Sequence, residues 1–386
     1  MQIKTFNQID PLGLAQFPAD YAVSENMQNE DGIIVRSAKL HDYAMPQNLL
    51  AIARAGSGTE NIPVARCTEQ GICVFNTPGA NANAVKELVI CAMLIASRDV
   101  VGSNRWLYDQ MAQGTEVSSV VEKGKKAFAG PELYRKTLGI IGLGAIGSLV
   151  ANVAVSLGME VYGYDPYISV DTALRLDHHV HVVKELDEIY RIADYITVHI
   201  HVTDATRGMI NEKAIAAMKN GVRFINLGRG ELIDDDAMIA ALDCGKVSCY
   251  VTDFPNNRLL ASGNVVAMPH LGASTPESEQ NCAVMAAREL VDYLENGNIL
   301  HSVNLPDVNL ARTGVMRICL IHKNIPAMLA GITTMLSREG ANVEHLSNKS
   351  RGEMAYTILD LGSAVDASVL DDLRAINGII RVRVLP

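Results

Sequence analysis

The stretch Thr137-Leu-Gly-Ile-Ile-Gly-Leu-Gly-Ala-Ile-Gly147 decides the fold, because it combines an apolar strand, a G-x-G-x-x-G turn and the start of a helix. Gly142 would permit the tight turn, Gly144 would let the backbone approach a pyrophosphate, and Gly147 would let the helix pack on the strand. The positive end of the helix dipole attracts phosphate there. We therefore expect a dinucleotide to contact Gly142, Gly144, Ala145, Ile146 and Gly147.

A second strand, Met159-Glu-Val-Tyr-Gly-Tyr-Asp165, ends in a carboxylate about twenty residues after the glycines, where an adenosine ribose needs an acceptor. Asp165 would also repel a 2′-phosphate, which favours NAD over NADP. The alternative is a glycine-rich turn beside an ordinary surface Asp.

Three later segments follow predicted strands and should reach the carboxyl edge of the same sheet, where ligands of such folds bind. They are Val198–His201, Ile225–Gly230 and Met268–Ser274. Arg229 offers a planar fork suited to a carboxylate, and His270 can exchange a proton near neutral pH. Together they fit oxidation of a 2-hydroxy acid, whereas either alone would be read as a surface Arg or a loop His.

Histidines elsewhere raise the question of a metal. His199 and His201 share one side of a strand, and His178, His179 and His181 form a second group. Neither group has a Cys or carboxylate at convincing ligand spacing. We therefore predict no metal, and we predict that His199 lies at the edge of the cofactor.

The order of strands and helices predicts an α/β fold with a doubly wound parallel sheet and a separate C-terminal unit. The 386 residues suggest two or three domains at roughly 150 residues each. Asn48–Ala55 is interpreted as a helix and Trp106–Pro131 as a loop. Residues 315–385 show the β-α-β-β-α-β order of a ferredoxin-like unit. The predicted domains are a substrate-binding domain, a dinucleotide-binding Rossmann domain and a regulatory domain, at 1–95 (completed by 275–303), 96–274 and 304–386.

The amino-acid composition limits the classes of binding partner and the cellular compartment that we expect. Acidic residues exceed basic ones, 43 against 33, so the net charge of -10 offers no broad attraction to nucleic acid or anionic lipid. Seven cysteines without a C-x-x-C pair indicate a reducing compartment, and we expect a cytoplasmic protein. Leu138–Met159 is long and apolar enough to cross a bilayer, but its five glycines favour a buried strand, turn and helix.

Four segments together resemble the D-isomer-specific 2-hydroxy acid dehydrogenases: Leu138–Asp165, Ile196–Asn211, Phe224–Asp234 and Pro269–Thr275. The resemblance covers roughly Ile33–Leu305. It implies an NAD-dependent enzyme with a flavodoxin-like substrate domain, in which Arg229 binds the substrate carboxylate and His270 is the general acid/base. It also implies that the nicotinamide is lined by Thr77, Asn226, Leu227, Gly228 and Gly272.

One departure from the family pattern concerns the partner of His270. The family has an Asp-Val-Phe-x-x-Glu run whose Glu pairs with the His, but this chain has Val251-Thr-Asp253-Phe-Pro-Asn-Asn257. Asn257 therefore stands where the Glu should fall. Either Asp253, also a candidate at the cofactor, has taken over the role, or His270 works without a carboxylate.

Within the family, Val35–Ser37 and Phe75–Pro78 resemble members that act on a phosphorylated three-carbon acid, which requires local cationic donors. Arg36 is the stronger candidate for the phosphate. The expected substrate contacts are Arg36, Ser37, Gly79 and Asn81, with Lys125 and Lys126 as weaker candidates that could come from a second subunit.

The tail from about Gly314 resembles an ACT domain, a module that pairs between subunits and binds an amino acid. The matching segments are Ile321–Pro326, Gly340–Val343 and Ala355–Asp360. The resemblance implies an L-serine effector at His322, Asn324 and Asn342, and a homodimer or homotetramer. Ala327 replaces the usual Gly, so a purely structural dimerisation unit is the alternative. For the whole chain, the alternatives are reduction of hydroxypyruvate, glyoxylate or 2-oxoglutarate, and an NAD-responsive regulatory protein without turnover.

Overall fold

The computed structural model describes residues 1–385, which fall into two compact units. One unit comprises Met1–Asn81 and the chain from Pro276 onwards, and the other comprises Ala82–Thr275. The predicted domain boundary at residue 95 lies inside a helix, Ala82–Ser97. The division into three domains stays a prediction.

The first segment of the first unit is a five-stranded parallel sheet in the flavodoxin-like order β2-β1-β3-β4-β5, with helices between β1 and β2 and between β4 and β5. Its strands are β1 Gln2–Phe6, β2 Ala22–Ser24, β3 Gly32–Val35, β4 Ala51–Arg54 and β5 Cys73–Phe75, and its helices are α1 Pro11–Leu14 and α2 Val64–Glu69.

The predicted helix at Asn48–Ala55 is wrong, because the structure has strand β4 there. Ala51, Ile52 and Ala53 are fully buried and pair with β3 on one side and β5 on the other. Hydrogen bonding on both edges outweighs the helix propensity of the alanines.

The second unit is built on a seven-stranded parallel sheet in the order β12-β11-β10-β9-β6-β7-β8. This is the predicted doubly wound Rossmann sheet, and its order reverses between β6 and β9. The strands are β6 Thr137–Ile141, β7 Glu160–Tyr164, β8 Val180–Val183, β9 Tyr195–Val198, β10 Val222–Asn226, β11 Val247–Thr252 and β12 Val265–Ala267. The helices are α3 Ala82–Ser97, α4 Val100–Ala112, α5 Val117–Gly124, α6 Ala145–Ser156, α7 Val170–Arg175, α8 Leu186–Ile192, α9 Glu212–Ala217, α10 Asp235–Asp243 and α11 Asn257–Ala261.

Consecutive residues of these strands belong to two different apolar cores. Phe224 packs in one buried cluster and its neighbour Ile225 in the other. Successive side chains of a strand point to opposite faces, so both faces of the sheet are covered by helices. This burial explains why Leu138–Met159 is so apolar, and across residues 1–385 no helix has the length and apolar composition needed to cross a membrane.

The predicted loop at Trp106–Pro131 is also wrong, since α4, α5 and a short 3-10 helix, Lys125–Phe128, occupy most of it. Asp99 caps α4 by accepting a 2.8 Å hydrogen bond from the backbone N–H of Gly102. Neither α4 nor α5 buries a side chain among residues 1–385, although Val117, Val120 and Val121 share one face of α5.

The chain returns to the first unit through the long helix α12, Pro276–Asn296, and ends in a four-stranded antiparallel sheet in the order β14-β15-β13-β16. Together with two helices it forms the predicted ferredoxin-like unit, here called the tail. Its elements are β13 Met316–Lys323, α13 Met328–Arg338, β14 Val343–Arg351, β15 Met354–Leu361, α14 Ala367–Ala375 and β16 Ile379–Leu385.

The tail sheet is buried on both faces. One face packs on α13 and α14, while Cys319, Ile321 and Tyr356 on the other face join the core formed by β1, β3–β5 and α12. Side chains of the tail also hydrogen-bond the last carbonyl groups of α12, which no helical partner can satisfy. Arg383 donates to the carbonyl oxygens of Tyr293 and Leu294 at 3.0 and 2.7 Å.

A buried ion pair also stabilises the contact between the tail and the end of α12. Arg317 and Asp360 are both fully buried, and Arg317 Nε lies 2.6 Å from Asp360 Oδ1. Burial opposes ionisation of Asp360, but hydrogen bonds from Arg317 and Thr313 outweigh it, so the pKa of Asp360 lies below its ordinary value. Arg317 also donates to the carbonyl oxygen of Asn296, at the end of α12.

We predict that Asp360→Asn lowers the free energy of unfolding by about 3–5 kcal/mol, because it leaves the Arg317 charge buried without an anion. Asp371→Asn is the matched control, since Asp371 forms an exposed pair with Arg374 on α14; its cost should stay below about 1 kcal/mol. Urea denaturation followed by circular dichroism measures both, and equal losses would contradict the prediction.

Candidate active site

The glycine-rich turn follows β6 and starts α6, as the sequence predicts. Gly142 has a φ of +95°, and its N–H donates to the carbonyl oxygen of Tyr164 at 2.8 Å. A methyl group on Gly142 would meet the carbonyl oxygen of His199, and one on Gly147 would meet the carbonyl oxygen of Gly142. Gly142 and Gly147 are therefore required by the packing of the chain itself.

Gly144 differs, because within residues 1–385, its own chain neighbours aside, nothing lies within 4 Å of a methyl group placed on it. It is exposed at the N-cap of α6, with φ -68° and ψ -155°, which any residue can adopt. The space beside Gly144 at a helix N-terminus fits a phosphate-bearing ligand that needs close approach to the backbone.

Asp165 follows β7 and fixes the opposite side of this turn. Its Oδ2 accepts from the N–H of Leu143 at 2.9 Å, and its Oδ1 accepts from the N–H of Tyr167 at 2.9 Å. The carboxylate is thus held next to the glycine-rich turn, where the sequence places the acceptor for a ribose.

His199 follows β9 and is tied to the same turn. Its N–H donates to the carbonyl oxygen of Ile141 at 2.7 Å, and its Nε2 lies 3.0 Å from Oγ1 of Thr197. Its Nδ1 is buried and has no hydrogen-bond partner among residues 1–385. Burial lowers the pKa of His199 to about 4, so its ring is neutral at pH 7 and available to a ligand.

The other histidines do not join this site. His201 is exposed, and His178 and His179 lie with Asp177 on an exposed turn where their ligand atoms are within 4.8 Å of one another. His179 Nδ1 lies 2.9 Å from Asp177 Oδ1. The absence of a metal stays a prediction.

Asn226 organises the loop that carries Arg229. It is fully buried at the end of β10, and its Nδ2 donates to the carbonyl oxygen of Arg229 at 2.9 Å. Its Oδ1 accepts from the N–H of Gly228 at 3.1 Å, and Leu227 between them is buried. The sequence places Asn226 at the cofactor, whereas its side chain holds the loop in shape.

Arg229, Asp253 and His270 follow three neighbouring strands, β10, β11 and β12, at the carboxyl edge of the sheet. Asp253 is 2% exposed, and its Oδ2 accepts from the N–H of Gly272 at 3.3 Å. Burial raises the pKa of Asp253, while the positive charges of His270 and Arg229 act on it in the opposite direction. The structure therefore brings a guanidinium, a carboxylate and an imidazole together.

Two residues of this cluster were missed from sequence. The Phe254 ring packs on the His270 ring with 4.7 Å between centroids, and the Tyr250 hydroxyl accepts from Asn226 at 3.4 Å. Their only signal was proximity in sequence to Asp253. Asn257 is exposed at the start of α11, next to Asn256, whose side chain caps that helix.

The predicted substrate residues lie in both units. Arg36 pairs with Glu279 of α12, and the Ser37 N–H donates to Asn7 Oδ1 at 2.9 Å. Thr77 is buried, and Gly79 forms a turn with a φ of +81° just before Asn81. In the second unit, Lys125 and Lys126 are exposed, and Lys125 pairs with Glu122. Their roles stay predictions.

In the tail, His322 is 2% exposed, with Nδ1 2.9 Å from the carbonyl oxygen of Lys323 and Nε2 2.8 Å from Thr357 Oγ1. Asn324 and Asn342 are exposed. Ala327 has a φ of +65°, the left-handed conformation that favours the Gly of the ACT pattern.

Comparison with known proteins decides the family. Residues 90–272 match the protein-family model described as D-isomer specific 2-hydroxyacid dehydrogenase, NAD binding domain. The D-3-phosphoglycerate dehydrogenase of Escherichia coli (strain K12) is 31% identical over 356 residues, which cover 88% of this chain and 82% of that protein. The chain belongs to the D-isomer specific 2-hydroxyacid dehydrogenases. NAD is the cofactor of this family's domain, and the open space at Gly144 and the unpartnered Nδ1 of His199 fit it.

The chain is also similar to a second curated protein and to a solved structure. The D-3-phosphoglycerate dehydrogenase of Methanocaldococcus jannaschii is 33% identical over 324 residues, and the chain spans only 59% of its length. The crystal structure of cofactor (NAD+) bound 3-phosphoglycerate dehydrogenase in Entamoeba histolytica matches with a TM-score of 0.61 and 27% identity, covering 79% of this chain and 98% of that one.

We predict that Gly144→Ala weakens NADH binding at least about tenfold while the melting temperature stays close to the parent's, because the methyl group occupies ligand space only. Gly147→Ala, the matched control, should lower the melting temperature, since its methyl group meets the carbonyl oxygen of Gly142. NADH fluorescence titration and thermal denaturation measure the two effects. Unchanged NADH affinity in Gly144→Ala would overturn the assignment of the space.

Proposed function

We propose that the protein oxidises 3-phospho-D-glycerate with NAD to 3-phosphooxypyruvate, the first step of L-serine biosynthesis. The observation that carries the proposal is the cluster of Arg229, Asp253 and His270 at the carboxyl edge of the NAD-binding sheet. The names of the relatives support the substrate. A cytoplasmic homodimer or homotetramer is part of the same proposal.

Each residue of the cluster has one task in this reaction. Arg229 binds the carboxylate of the substrate, because its planar fork matches two carboxylate oxygens. His270 accepts the proton of the C2 hydroxyl as the carbonyl forms. Asn226 fixes the loop of Arg229, and Asp253 provides a carboxylate close to both Arg229 and His270. When bound, NAD supplies the acceptor for the hydride leaving C2.

The phosphate of the substrate is assigned to Arg36. In the structure Arg36 pairs with Glu279, and their side chains are 43% and 40% exposed. The substrate phosphate would therefore replace the Glu279 carboxylate as the partner of Arg36. Breaking this exposed ion pair would cost the protein little stability. Lys125 and Lys126 are weaker candidates because both are exposed and Lys125 already pairs with Glu122.

The ion pair between Arg36 and Glu279 also supports a second candidate function. If Arg36 stays with Glu279, the substrate has no need of a phosphate, and reduction of an unphosphorylated 2-oxo acid such as glyoxylate, hydroxypyruvate or 2-oxoglutarate is favoured.

The tail is proposed to bind L-serine as an effector. Asn324 and Asn342 are exposed and can contact an amino acid, whereas His322 already has partners at both ring nitrogens. His322 would therefore contribute by holding its strand in place rather than through a free ring nitrogen.

We predict that Arg36→Gln raises the KM for 3-phospho-D-glycerate by about 10–100-fold, since a charge-assisted hydrogen bond contributes about 1.5–3 kcal/mol. The rate with D-glycerate should change less than about twofold, and so should the KM in Lys213→Gln, the exposed-cation control on α9. NADH formation at 340 nm measures all of these. Parallel losses with both substrates would contradict the role of Arg36, and D-glycerate used as well as the phosphorylated acid would favour the second function.

We also predict that Asp253→Asn lowers kcat for oxidation at least about tenfold, because it removes the carboxylate that lies near Arg229 and His270. Asn257→Ala is the control at the family's Glu position and should keep the parent's kcat. Steady-state NADH formation at 340 nm measures both variants. A loss in Asn257→Ala with none in Asp253→Asn would reverse the assignment.

A further inference from the structure

A cavity of about 710 Å³ in the first unit lies along the exposed side of α12. Its apolar wall is formed by Leu12 of α1, Val284 and Met285 of α12, and Leu300. Cavities of roughly 300–1,000 Å³ with apolar walls and a few polar groups are typical of small-molecule sites. The ionisable residues that line this cavity are Arg288, Glu289 and His301, and Gln16, Gln280 and Asn281 add uncharged polar groups.

Glu289 is the unusual group. Its side chain is 7% exposed, and His301 Nδ1 lies 2.7 Å from Oε1. Its Oε2 is buried and has no hydrogen-bond partner among residues 1–385. Burial, and then the negative charge of Asp307, raise the pKa of Glu289 to about 9. Among residues 1–385, His301 is the hydrogen-bond partner of this carboxyl group and its second oxygen has none, so a cationic group of a ligand could add a partner.

Arg288 provides the opposite charge next to Glu289. Its Nε donates to Gln16 Oε1 at 2.9 Å, which orients the guanidinium at the rim of the same cavity. The side chain is otherwise exposed, so its terminal nitrogens can form a two-point contact with a carboxylate.

We propose that this cavity binds a free α-amino acid with an apolar side chain. The ammonium group contacts the carboxyl group of Glu289, the carboxylate contacts Arg288, and the side chain packs on Leu12, Val284 and Met285. Opposite charges on consecutive residues beside an apolar wall match the three parts of such a ligand.

The site is distinct from the groups used in the proposed reaction. Glu279, the partner of Arg36, precedes Glu289 by ten residues of α12, roughly 15 Å along the helix axis. The cavity borders the turn at Gly79 and Ala80, which is the one part it shares with the predicted substrate residues. The proposal does not depend on the dehydrogenase activity.

Binding should release a proton, because Glu289 must ionise to accept the ammonium group. The titratable groups that face Glu289 are His301 and Asp307, which follow α12, Arg288 on α12 itself, and the Cys73 thiol on β5. The affinity for the amino acid should therefore increase between about pH 6 and pH 9.

The test is isothermal titration calorimetry of the full chain without NAD or substrate, using L-leucine as the probe. L-leucine should bind with proton release, seen as a heat that depends on the ionisation enthalpy of the buffer. N-acetyl-L-leucine, which lacks the ammonium, and isoamylamine, which lacks the carboxylate, should each bind at least about tenfold more weakly.

Glu289→Gln should lose at least about tenfold in affinity for L-leucine and should release no proton. Glu295→Gln, an exposed change on the same helix, is the matched control and should bind like the parent. Arg288→Gln is exposed and keeps the test valid if Glu289→Gln does not fold. No binding of L-leucine, L-isoleucine or L-methionine up to about 10 mM, or unchanged affinity in both variants, would overturn the proposal.

Discussion

The Asp253 carboxylate lies between two positively charged neighbours with almost no access to water. It follows the middle strand of three, so Arg229 stands after the strand on one side and His270 after the strand on the other. Burial disfavours the ionised carboxylate, and those neighbouring charges favour it. The carboxylate thus supplies a negative charge close to both basic side chains. The arrangement of the reactive groups therefore depends on this side chain.

Residues whose roles follow from local backbone rules could be predicted from sequence. The glycine-rich turn, Asp165, Arg229 and His270 all follow strands, and parallel strands bring such residues to one edge. Partners that come from distant parts of the chain could not be predicted, and the burial of His322 against Thr357 is an example. The sequence alone did not decide whether a carboxylate lies near His270. Asn257 occupies the position of the family's Glu, and the sequence does not show whether the side chain of Asp253 faces His270.

The two errors in secondary structure have opposite causes. Ala51–Arg54 is rich in a helix-forming residue, but pairing with strands on both sides decides its conformation. Helices α4 and α5 bury no side chain among residues 1–385, and the polar composition of this segment indicates a loop despite the helical spacing of Val117, Val120 and Val121 in α5. Hydrophobic periodicity reports which side chains are buried, whereas hydrogen bonding sets the backbone conformation. In strand β4 and in helices α4 and α5, these two properties point to different secondary structures.

The last strand of the chain carries a consequence for the order of events during synthesis. Arg381 of β16 donates to the carbonyl oxygens of Gln47 and Leu49, more than 330 residues earlier. Ala82–Thr275 is continuous and can fold while still attached to the ribosome. The N-terminal strands emerge first, yet they must wait for β16 before their core is closed. Nascent chains thus carry unsatisfied apolar surface until β16 has been synthesised, a period during which chaperones would find their binding sites.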